Sequence, residues 1–131
     1  MDTVTGFLLF LALTLAALGI AVVSGFEARR KIHIPAVASA VVLLLVTIYF
    51  AERLGRQYDL ESAGAIYPVH LFFAKTTTPA YLLPILTGIR TLKRPETLVW
   101  HKRLAFLVLL LTVITAGTGT AMVFMADKLP S

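Results

Sequence analysis

No cysteine occurs in the 131 residues, so disulfides, iron–sulfur clusters and thiolate metal sites are excluded at once. Acidic residues are scarce too: seven Asp and Glu stand against twelve Lys and Arg, a net charge of +5. A basic balance points to nucleic acid where the cations form a stripe that phosphates can follow. Here the cations flank apolar runs instead, and no nucleic-acid partner is expected. A nucleophile–base–acid set, a phosphate loop, an HExxH motif and a carboxylate dyad are all missing, so stand-alone catalysis is not expected. There is no repeated polar lining and no inverted repeat of the transporter kind. Low-complexity segments are absent.

What is present is apolar surface. Hydrophobic residues make up 58% of the chain, more than a soluble domain of this length can bury, whereas a lipid bilayer removes that limit. Four apolar runs, at 6–26, 34–51, 66–89 and 104–125, are each close to the roughly 20 residues a helix needs to cross hydrocarbon. The third is interrupted by Lys75, Pro79 and Pro84. Irregular backbone is not viable in lipid, so the runs are read as helices. The prediction is an all-α integral membrane protein, with residues 1–131 forming a single domain, an up-down-up-down bundle of four transmembrane helices. The first run is not read as a cleaved signal peptide, because its basic residues follow the apolar stretch.

Orientation follows from Lys and Arg. Residues 27–31 carry Arg29, Arg30 and Lys31, and residues 90–103 carry Arg90, Lys93, Arg94, Lys102 and Arg103. Against these eight stand Arg53, Arg56 and Lys128 on the opposite side. The positive-inside rule therefore predicts that both basic segments are cytoplasmic and both termini non-cytoplasmic, in a bacterial inner membrane. Pro35 and Pro95 suit first helical turns, and Trp100 suits an interfacial anchor.

Three histidines are the candidates for chemistry. His33 and His101 stand at the cytoplasmic starts of the second and fourth helices, which are diagonal in a four-helix bundle. Axial imidazoles from facing helices are how a bundle holds haem, so the pair predicts one haem b, its iron ligated by His33 and His101. Arg29, Arg30, Lys102 and Arg103 stand at the depth where propionates would emerge. The stripes Ala36, Ala40, Leu43, Thr47 and Ala105, Val108, Thr112, Thr115, Gly119 leave volume for a flat ring. The competing reading is that small stripes bring membrane helices together without any cofactor.

A second polar cluster is expected in the outer half. Lys75 lies near the middle of the third helix, where a charge is expensive and marks function by default. Glu52 leans toward it by the tilt of helical side chains, and Tyr49, Tyr67 and His70 share the same half. The readings left open are an ion pair, a proton-linked quinone pocket, a second metal or haem site, or a snorkelling lysine.

Two resemblances attach to these residues. The segment Arg29-Arg30-Lys31-Ile32-His33, an aromatic exit from the second helix, a histidine in the third and His101-Lys102-Arg103 together resemble a small four-helix bacterial membrane family linked to cytochrome oxidase maturation. That family carries a further histidine near Glu52 and a deeper one in the third helix, and this chain departs from it at both places. The stretch from His70 through Gly88-Ile89-Arg90 to Trp100-His101 is similar to the transmembrane cytochrome b family that takes electrons from ascorbate. That resemblance implies His33 paired with His101 and at most one haem. The resulting expectation is a haem b-binding or haem-handling subunit of a larger respiratory or photosynthetic membrane complex. A cofactor-free structural or assembly subunit is the alternative.

Overall fold

In the computed structural model, which describes residues 2–130, the chain is all-α apart from one two-residue strand pair. The helices are α1 (Thr3–Phe26), α2 (Arg30–Gln57), α3 (Ile66–Ala80), α4 (Leu82–Lys93) and α5 (Leu98–Met125). Strands β1 (Tyr58–Asp59) and β2 (Asp127–Lys128) pair antiparallel. Three segments, Thr3–Phe26, Arg30–Gln57 and Pro95–Met125, are long and apolar enough to cross a membrane.

The third expected helix is the one that differs. It divides into α3 and α4 at Tyr81, whose backbone is still helical (φ −57°, ψ −27°). Pro79 and Pro84 cannot donate to the carbonyls of Lys75 and Ala80, so two ladder bonds are missing within one and a half turns. The neighbouring bonds are stretched, Tyr81 N–H to Thr77 O at 3.3 Å and Ile85 N–H to Tyr81 O at 3.4 Å. Together α3 and α4 occupy the third of the four apolar runs. The helices also run past the apolar limits read from sequence, because hydropathy marks the lipid-compatible stretch and not the polar turns that continue it. Pro35 accordingly sits inside α2, at its sixth residue, and not in the first turn as expected. Pro95 opens a short 3-10 turn (Pro95–Thr97) ahead of α5.

The chain forms two compact units. The first holds the residues up to Asp59 together with those from Asp127 onward, and the second holds Leu60–Ala126. The first unit is the antiparallel hairpin of α1 and α2. Buried residues of α1 (Thr3, Gly6, Phe7, Thr14, Ala17, Ala21, Ser24) fall on one face along the whole helix, most of them three, four or seven apart, the spacing of a helix that packs along its length at a shallow angle. Thr14 and Thr47 share a buried hydroxyl–hydroxyl hydrogen bond of 3.1 Å, and Phe10 stacks on Phe50 at 5.5 Å. The hairpin turn is a Schellman closure: Arg29 N–H donates to Ser24 O at 2.9 Å and Ala28 N–H to Gly25 O at 3.1 Å, with Ala28 left-handed at φ 55°. At the other end Asp2 caps α1 by accepting from Thr5 N–H at 2.7 Å, which holds its carboxyl below the usual carboxylate range. Strand β2 pairs with β1, and Leu129 N–H donates to Gln57 O at 2.9 Å. Both ends of the described chain therefore lie at the same end of this hairpin.

In the second unit α5 runs antiparallel to α3 and α4 along a hydroxyl seam. Thr77 and Thr115 bond at 2.9 Å, and Tyr81 OH bonds Thr112 Oγ1 at 2.6 Å. Each of Thr112, Thr115 and Thr118 also donates to the carbonyl four residues back, so no hydroxyl proton is left unused in the seam.

Candidate functional site

The first turn of α2 puts His33 at its fourth residue, and the first turn of α5 puts His101 at its fourth. Each imidazole is half-buried and lies against a glycine of the helix before it. A methyl on Gly25 would sit 3.1 Å from Cε1 of His33, and one on Gly88 would sit 3.0 Å from Cε1 of His101. His70 repeats the arrangement against Gly119, at 2.8 Å. Three histidines thus rest on three glycines that bring backbone and ring into contact.

Hydrogen bonding then orients the rings. Nδ1 of His33 lies 2.7 Å from the carbonyl oxygen of Ala21, which can only accept, so this nitrogen carries the proton. Nδ1 of His70 lies 2.9 Å from Thr118 Oγ1, whose own proton goes to Ile114 O at 2.9 Å, so again Nδ1–H donates. Nδ1 of His101 makes a longer bond, 3.4 Å, to Thr87 Oγ1, whose proton goes to Leu83 O at 2.8 Å. In all three rings Nδ1 therefore faces an oxygen of a neighbouring helix. Tying back the other ring N–H is how proteins orient a metal-ligating histidine.

Part of each small-residue stripe lies at a helix contact. Ala36, Ala40 and Thr47 are buried on the face of α2 whose Thr47 bonds α1, and Val108, Thr112 and Gly119 on the face of α5 that meets Tyr81 and His70. These stripe residues are used in helix packing inside each hairpin.

The charged candidates are all exposed. Arg29 pairs with Glu27 at 2.9 Å, Arg30 opens α2, and Arg103 lies over the Trp100 ring at 5.6 Å, while Lys102 follows His101. Of the second cluster, Tyr49 accepts a long 3.4 Å bond from Arg53 Nη1, Tyr67 and His70 are half-buried, and Lys75 and Glu52 are exposed. Glu52 belongs to the first unit and Lys75 to the second. Among the described residues no group of three or more His, Asp or Glu could hold a bare metal ion.

No protein-family model, curated protein or solved structure matches the chain. The reading of the site rests on its own chemistry. Its unexpected members are Gly25, Gly88, Gly119, Thr87, Thr118 and the Ala21 carbonyl, and the sequence signalled them only as small or hydroxylated residues on apolar helices.

The glycine contacts give a direct prediction. Gly117 faces open space within α5, so Gly117→Ala should leave stability unchanged or raise it by up to about 1 kcal/mol through helix propensity. Gly119→Ala, two residues on, must displace the His70 ring and should destabilise by about 1–3 kcal/mol. Thermal unfolding of the two variants side by side checks the contact. Equal melting temperatures would remove it.

Proposed function

We propose that the chain crosses a bacterial inner membrane four times, with both termini non-cytoplasmic, as a haem b-binding or haem-handling subunit of a larger electron-transfer complex. His33 and His101 are the proposed axial ligands, and Arg29, Arg30, Lys102 and Arg103 the proposed propionate partners. The observation that supports this most is how the rings are held: Nδ1 of each bonds an oxygen of the neighbouring helix, the kind of hydrogen bond by which proteins orient a metal-ligating histidine. Gly25 and Gly88 restrict ring rotation, so ligation costs little further ordering. A haem bound there supplies one-electron transfer. The protein's part is to orient both imidazoles and to meet the carboxylates with cations. The two family resemblances belong to this proposal on the same residues.

A cofactor-free assembly subunit is the second reading. It is favoured by the small-residue stripes, of which helix packing buries Ala36, Ala40, Thr47, Val108 and Thr112. The two separate by haem stoichiometry. Protein purified from haem-replete cells should carry about one non-covalent haem b per chain by pyridine haemochrome assay, as one bis-imidazole site requires. Two per chain would bring in His70, and none would select the assembly reading.

A further inference from the structure

The turn between α4 and α5 carries charges that the haem reading does not use. Arg90 and Lys93 lie in the last turn of α4, and Arg94 follows as its cap. All three are exposed, and among the described residues no side-chain hydrogen bond or ion pair holds them. Glu96 is the one carboxylate between residues 90 and 103. The other basic turn differs, because there Arg29 is already paired with Glu27.

Around these cations the surface is apolar. Ile89 and Leu92 on α4, and Val99 and Trp100 on α5, are all exposed, Trp100 at 60%. At the start of α5 the preceding 3-10 turn closes on itself: Thr97 N–H donates to Arg94 O at 3.0 Å, Leu98 N–H to Pro95 O, and the Thr97 hydroxyl to Arg94 O at 2.8 Å. Three clustered cations suit a phosphate. Exposed aliphatic and indole surface beside them suits acyl chains, and a free anion would have no use for it.

We propose that this turn binds the headgroup of an anionic phospholipid, with Arg90, Lys93 and Arg94 on the phosphate and Trp100 at the glycerol level. The proposal rests on the reading that the helices cross a membrane, and not on the haem. Its function is to hold the second unit at a fixed depth in the charged leaflet.

Trp100 is the sole tryptophan, so its fluorescence reports on this turn alone. The full-length protein is reconstituted into vesicles of equal phosphatidylglycerol and phosphatidylcholine, with brominated chains on one lipid at a time. Comparing two lipids on one protein cancels any constant quenching within it. One cation beside an anionic surface strengthens binding by about fivefold at low salt, so brominated phosphatidylglycerol should quench clearly more than brominated phosphatidylcholine. The excess should vanish in the triple variant Arg90→Gln, Lys93→Gln, Arg94→Gln and should survive added inorganic phosphate. Equal quenching by the two lipids in the unaltered protein would overturn the proposal, as would an excess that persists in the triple variant. Removal of the excess by inorganic phosphate would assign the turn to a free anion and overturn it as well. No quenching by either lipid would overturn the membrane reading along with it.

Discussion

A reporter enzyme fused after Ser131 is expected to be active only on the non-cytoplasmic face of the membrane, with essentially no signal from the cytoplasm. The expectation has two independent roots. Eight of the twelve basic residues lie in residues 27–31 and 90–103, and cations in short loops stay inside. Strand β2 also pairs with β1 at the end of the first hairpin that carries Asp2, which ties the two ends of the described chain to one side. Because the effect is all or none, partial activity on both faces would be as damaging as inversion. A fusion after Gly64 should report the same side, and one after Arg94 the opposite. Cytoplasmic activity of the Ser131 fusion would invert the leaflet assigned to the basic turns.

The second large effect is on the haem spectrum. His33→Ala and His101→Ala should each abolish the sharp low-spin bands of the reduced protein or convert them to a high-spin form, since six-coordinate iron needs both imidazoles. His70→Ala should leave those bands in place. His70 packs on Gly119 of α5, eighteen residues from His101, which is about 27 Å along a helix, so these two cannot share an iron. Thr87→Val is a finer probe: it removes the oxygen that accepts from His101 Nδ1–H while keeping the shape, and should weaken haem retention by about 10- to 100-fold without moving the backbone. Unchanged spectra in both His33→Ala and His101→Ala would move any haem elsewhere.

Much of the fold was legible because lipid imposes a length and a hydropathy on every span. The runs that became α1, α2 and α5 were found with their ends off by up to six residues. The interruption of the third run was visible as Pro79 and Pro84, and its cost could be read from the carbonyls they leave behind. Its division at Tyr81 was not, since Tyr81 keeps helical angles and only the stretched bonds beside it mark the break. Helix starts were misjudged because polar first turns such as 30–33 and 98–103 carry no apolar signal. That error matters at the site, where it left His33 and His101 at the edges of their helices when each lies one turn inside. The glycine cradles were invisible for another reason: a glycine on an apolar helix looks the same whether it faces lipid, as Gly117 does space, or an imidazole, as Gly119 does. The two-unit division was hidden too, since short loops and uniform hydropathy give no sign of which helices contact most closely.

The most direct test of the haem claim is low-temperature electron paramagnetic resonance of the oxidised protein, purified from haem-replete cells without added haem. Two imidazoles oriented through Nδ1 predict a low-spin ferric signal of bis-histidine type, at about one spin per chain and with little high-spin iron. A purely high-spin ferric signal would mean that one of the two histidines does not reach the iron, and protein with no haem signal at all would contradict the account.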